Sequence, residues 1–182
     1  MATGRNNSLT SRLAEHSVCA ELARRGLIAT TFTHNVPKFD VLAADKQCRT
    51  APIQVKATNT TSWRTSADAW MEIELDKAKK TQSLVRTKQL DTPDLIWVCV
   101  AVAPVGKRDQ FFILTERDIQ QICVCNYRTM LESCEGHRPR NWESLDCWWN
   151  TSDLTAFENN WELVVERLKS DKPDRAFDRE TQ

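Results

Sequence analysis

The chain has 182 residues, 41% apolar and 27% charged, with 25 basic and 25 acidic side chains. That size and balance fit one domain with a sizeable core, and they argue against the basic excess of a nonspecific DNA coat. No apolar run is long enough to span a bilayer, and the first seven residues lack an apolar signal core, so a cytoplasmic chain is expected.

Ser8 to Arg25 reads as a helix, with Ser8 as its cap, Gly26 as its stop, and an apolar stripe of Leu9, Leu13, Ala14, Val18 and Leu22. Leu27 to Thr33 reads as a strand. Lys38 to Ala44 and Pro52 to Thr58 read as two more, joined by the short polar segment Asp45 to Arg49. Thr58 to Ala69, rich in Thr and Ser, is expected to be a loop, and Trp70 to Leu75 fits either a short strand or a helix lead-in. The basic stretch Lys77 to Lys88 reads as a helix.

Leu95 to Val102 is a nearly unbroken apolar run, suited to a strand buried on both faces. Gly106 to Asp109 turns the chain into a strand over Gln110 to Leu114, and Thr115 with Asp118 has the form of a capping box for the next helix. Ser133 to Ser152 is irregular, aromatic and rich in Cys. A last helix is expected from Ser152 or Asp153, with Phe157, Trp161, Val164, Val165 and Leu168 as its stripe. A single domain over 1–170 and a disordered tail over 171–182 complete the expectation.

The first two hairpin strands carry the chemistry. A turn centred near Gln47 sets Asp40 opposite Gln54, with Lys56 on the same face. Phe39, Val41, Ala43, Ile53 and Val55 form the other, apolar face. Asp40 offers a hard anionic oxygen suited to Mg²⁺, and Lys56 could orient or deprotonate a water or neutralise charge on phosphorus. The bland alternative is an exposed cross-strand ion pair. Glu15 lies on or beside the helix stripe, where an acid is unusual without a partner. Glu21 competes with it but falls about 240° around the helix, so the two cannot face one site.

Pro37 to Asp40 followed by Gln54-Val-Lys56 resembles the PD-(D/E)XK nuclease superfamily, and the Gln-x-Lys form is similar to its Mrr-like restriction branch. The chain departs from the pattern in two places. Gln54 replaces an acid, and Pro37 precedes Asp40 by three residues instead of one. The resemblance covers roughly the first third of the chain. It implies a restriction-endonuclease-like α/β three-layer sandwich, with a central mixed sheet flanked by helices.

By that resemblance Asp40, Gln54 and Glu15 hold Mg²⁺, with Mn²⁺ able to substitute, and Lys56 serves the attacking water. The implied activity is endonucleolytic hydrolysis of DNA, restriction-like or junction-resolving, by a homodimer; RNA remains open as the substrate. Arg64, Lys79 and Lys80 are the candidate nucleic-acid contacts. The 58–69 loop is expected near the site, where Trp63 and Arg64 could stack on a base or rest on a phosphate, or Trp63 could pack over the rim of the core. Two other readings stand beside this one. The first is a catalytically decayed nuclease-fold module that only binds nucleic acid. The second is an interaction protein using the Trp-rich stretch from Trp142 to Trp161.

Seven cysteines, an odd number, suit reduced thiols. Cys123, Cys125, Cys134, His137 and Cys147 have the donor types for zinc, but not the spacing of paired zinc knuckles. Cys19 and Cys99 read as small core residues.

Overall fold

A computed structural model describes residues 4–32 and 37–170. The expected tail over 171–182 and the last residue of the first expected strand lie outside the described residues.

The first helix, α1 (Gly4–Arg24), starts four residues before the expected Ser8 cap. It ends in a Schellman-type closure, where Leu27 N–H donates to Leu22 O at 3.1 Å and Gly26 takes φ +78°. A central sheet follows from β1 (Ile28–Thr31), β2 (Val41–Ala44), β3 (Thr50–Thr58), β7 (Ile96–Ala101) and β8 (Gln110–Thr115), in the order β1-β2-β3-β7-β8. The β3–β7 pair is parallel and the others are antiparallel, so the sheet is mixed as expected.

Each face of the sheet has its own core. Val41, Ile53, Val98, Val100 and Ile113 pack against Ala14, Val18 and Leu22 of α1, and against Val164 and Leu168 of α3 (Glu162–Ser170) with Trp161 just ahead of it. Cys99, Ala101, Phe112 and Leu114 face the opposite way, toward Ile119, Cys123 and Tyr127 of α2 (Glu116–Ser133). This two-sided burial is why β7 reads as a continuous apolar run. The Thr115 capping box is present, with Thr115 N–H donating to Asp118 Oδ2 at 2.8 Å and Asp118 N–H returning to Thr115 Oγ1 at 3.2 Å.

Four expectations need correction. Leu9 and Leu13 are exposed, and the buried face of α1 is the narrower Ala14, Val18, Leu22 line. The expected loop over 58–69 contains β4 (Ser62–Ser66), which pairs antiparallel with β9 (Asp146–Asn150) in the stretch read as irregular. The expected helix over 77–88 is instead the turn and second strand of a hairpin, β5 (Met71–Asp76) and β6 (Thr81–Thr87). Finally, the last helix begins at Glu162, after a 3₁₀ segment over Thr151–Phe157.

The hairpin is held from outside. The Gln82 side chain accepts from Tyr127 Oη at 2.6 Å and donates to Ser144 O at 3.1 Å, while Gln82 N–H donates to Gly136 O at 2.9 Å. Such distant partners override the helical preference of Lys-rich sequence. Among the described residues no helix is long and apolar enough to cross a membrane.

Candidate active site

The hairpin register is the expected one. Val41 stands opposite Ile53, and the turn is fixed by Asp45, whose Oδ1 accepts from the N–H groups of Gln47 and Arg49 at 2.9 and 3.0 Å. Asp40 lies one residue ahead of β2, and its N–H donates to Ile53 O at 2.9 Å. Its carboxylate Oδ2 accepts from Val55 N–H at 2.9 Å and from the Gln54 side-chain amide. Two donors from β3 therefore orient the acid. Lys56 follows on the face of Gln54, and its carbonyl accepts from Trp63 Nε1 at 3.0 Å. No hydrogen-bond or ion-pair partner of the Lys56 ammonium is found among the described residues.

Glu15 reaches this group from α1. Burial raises its carboxyl above the usual carboxylate range, the Asp40 charge adds to the rise, and His16 and Arg12 oppose it. Glu15, Asp40, Gln54, Lys56 and Arg64 all line one cleft of about 570 Å³. Glu21 faces elsewhere. Its carboxylate binds Arg25 at 2.7 Å and Arg24 more closely, and the Arg25 bond first among these contacts holds it below the usual range.

Lys79 and Lys80 do not join the cleft. They sit in the β5–β6 turn, where Lys79 lies 3.8 Å from Asp76 and Lys80 takes φ +55°. The Trp-rich stretch divides as well. Trp149 and Trp161 are core residues, Trp142 is half-buried, and Trp148 is exposed. Of the zinc candidates, Cys123 and Cys147 are buried together, Cys147 Sγ lying 3.5 Å from Cys123 O, whereas Cys125 is exposed. Among the described residues no group of three or more His, Cys, Asp or Glu side chains is arranged to hold a metal. All seven cysteines are free, with Cys99 fully buried and Cys19 half-buried.

The cleft's donor set still suits one hard cation. It holds two carboxylates and one amide, and Mg²⁺ commonly takes one or two carboxylates while keeping waters. Gln54 now turns its N–H toward Asp40. A half-turn about its last torsion exchanges that N–H for an oxygen.

Sequence reasoning missed Trp148, which lines the same cleft. The signal was available in alternation, since two adjacent tryptophans on a strand point to opposite faces. Thr58, Thr60 and Ser62 also line the cleft, so this segment lies near the site as expected, although part of it is strand and not loop.

No protein-family model and no curated protein sequence matches the chain. Among solved structures, it is similar to a Holliday junction resolvase from the archaeal hyperthermophile Archaeoglobus fulgidus. That likeness has 12% identity and a TM-score of 0.43, and it covers 85% of this chain and 95% of the other. The chain is also similar to a bacterial homing endonuclease, at 9% identity and a TM-score of 0.49, over 90% of this chain and 96% of the other.

Proposed function

We propose that this chain is a divalent-metal-dependent endonuclease that hydrolyses phosphodiester bonds in DNA, restriction-like or junction-resolving. The observation that carries the reading is the convergence of Glu15, Asp40, Gln54 and Lys56 on one open cleft. Asp40, Glu15 and the Gln54 oxygen would hold Mg²⁺, or Mn²⁺ in its place. The ion would supply charge stabilisation at phosphate and a more acidic water.

The protein's own groups do the rest. Val55 N–H fixes the Asp40 carboxylate, so its position is set before substrate arrives. Lys56 serves the attacking water in this reading by positioning it, and its three N–H donors can also neutralise a non-bridging phosphate oxygen as negative charge builds there. The water oxygen forms a bond to phosphorus as the water gives up a proton to solvent, the ester P–O bond breaks, and the leaving oxygen takes up a proton from solvent. Arg64 contacts the nucleic acid at the cleft edge. Lys79 and Lys80 would act only on DNA that extends well beyond the cleft.

A single cleft cuts one strand, so a homodimer supplies the second cut, and free thiols suit a reducing cytoplasm. The test is cleavage of supercoiled and branched DNA with Mg²⁺ or Mn²⁺, by wild type, Asp40→Ala and Lys56→Ala. Metal-dependent nicking lost in both variants is expected. Equal DNA binding by all three proteins with no cleavage by any of them would favour the noncatalytic binding module.

A further inference from the structure

The β4–β9 ribbon sorts its aromatic residues by face. Trp63 and Trp149 are cross-strand partners pointing into the core, where their rings stack at 6.3 Å and 10°. The next pair along, Arg64 and Trp148, points outward. Trp148 is 47% exposed, and among the described residues it is the only tryptophan in the set of exposed large apolar side chains. The Arg64 guanidinium lies over it at 5.6 Å, and Asp146 Oδ2 tethers that guanidinium at 3.5 Å. Asn126 Nδ2 holds the Trp148 carbonyl from α2 at 3.2 Å. The outward pair is thus braced on several sides, yet the indole stays open to solvent.

The ribbon's position gives this pair a use. Trp63 Nε1 is bonded to Lys56 O at 3.0 Å, which joins the ribbon directly to the strand that bears the lysine. Trp148 and Arg64 line the same cleft as Asp40 and Lys56. An aromatic face beside a phosphate site accepts any nucleobase, because every base has a π-face. Bases inside a continuous duplex are already stacked on each other and cannot offer that face. The charge of Arg64 is paired with Asp146. The platform therefore works by stacking, with little added attraction for phosphate.

Resting on the nuclease reading above, we propose that Trp148, braced by Arg64, stacks on an unpaired or unstacked nucleobase beside the scissile phosphate. The preferred substrate class is then DNA with such a base at the cleavage position, as in a flap, bulge or branch, over continuous duplex.

The experiment places 2-aminopurine at the unpaired position of a flap oligonucleotide. Binding is followed in EDTA with wild type, Trp148→Phe and Trp148→Ala, and a continuous duplex is run in parallel. Wild type should quench the probe, Trp148→Phe should retain much of that quenching, and Trp148→Ala should lose it. Flap affinity should fall roughly ten- to hundred-fold in Trp148→Ala. Duplex affinity should stay within about twofold and the salt slope should not change. With Mg²⁺ present, the ratio of flap to duplex cleavage should drop toward one in the same variant.

Unquenched probe in the wild-type complex, or equal loss of flap and duplex binding in Trp148→Ala, would overturn the platform. The wild-type quenching result stands whether or not the alanine variant folds. Quenching without cleavage under any metal condition would sink the nuclease reading while leaving the platform in place. Cleavage with an unchanged flap preference in Trp148→Ala would do the reverse.

Discussion

Gln54→Glu probes the one departure of this cleft from an all-acid site. The Gln54 amide donates to Asp40 Oδ2, the atom that also receives Val55 N–H at 2.9 Å. Glutamate removes the donor and sets a second carboxylate against Asp40, in a cleft that Glu15 also lines. Two like charges 4 Å apart repel by about 4 kcal/mol at an effective dielectric of 20, and by about 1 kcal/mol in bulk water. Asp40 and Gln54 are both half-buried, so an intermediate loss of about 2–3 kcal/mol is expected without metal. For a domain of this size that is a fall in Tm of roughly 5–10 °C.

Millimolar Mg²⁺ should restore more of that loss than it adds to wild type, because a carboxylate binds the ion better than an amide. Adding Asp40→Asn should also rescue Gln54→Glu, since the amide and carboxylate then exchange places; the cycle should return a coupling of about 2 kcal/mol. Thermal denaturation in EDTA and in MgCl₂ reads all of this. A Gln54→Glu protein that melts with wild type in EDTA, or an additive double mutant, would refute the contact as the organising feature of the site.

Three other substitutions separate the cleft from its supports. Trp63→Phe leaves the Lys56 carbonyl without its donor; we expect a loss of about 1–3 kcal/mol in chemical denaturation and a fall in kcat with KM little changed. Gly136→Ala should destabilise by about 2 kcal/mol or more, since the residue has φ +78° and an added Cβ would lie 2.8 Å from Gln82 O; its cleavage rate well below Tm should match wild type. For Glu15 the folded-state carboxyl titrates above its usual 4.5, so the folded protein binds the proton more tightly than the unfolded chain does. The resulting stabilisation is full below that value and is lost as pH rises through the raised one. In EDTA, Glu15→Gln should therefore gain Tm relative to wild type as pH goes from about 4 to 7; a constant difference would show that Glu15 is not desolvated.

The hairpin that carries Asp40 and Gln54 was legible because its determinants are local. Asp45 closes the turn, and one face alternates apolar residues that permit a single register. The β7 strand and the Thr115 cap were legible for the same reason. The β5–β6 hairpin was not, because Gln82 is secured by Tyr127, Ser144 and Gly136, all more than forty residues away. Nor was β4, whose Ser and Thr residues suggested a loop while its partner β9 lies some eighty residues downstream. Leu9 and Leu13 misled because helical spacing marks a stripe without saying how far the sheet beneath it extends.

Charge counting explains why an amide is a workable choice at position 54. Glu15 and Asp40 bring two negative charges to the cleft, and Glu15 already bears a cost from burial and from Asp40. A third carboxylate would deepen that cost in the metal-free protein, whereas Gln54 spends its N–H group stabilising Asp40. The cleft can then fold without an ion, and in the proposed nuclease the amide oxygen would become a ligand by a half-turn of one torsion. The weaker hold on the ion matters least when substrate phosphate supplies further oxygens, which is how Mg²⁺ is commonly completed at phosphate-handling sites. In this reading, metal and DNA bind cooperatively to a cleft that neither would occupy tightly alone, and a neutral ligand is the form of the site that best tolerates waiting for both.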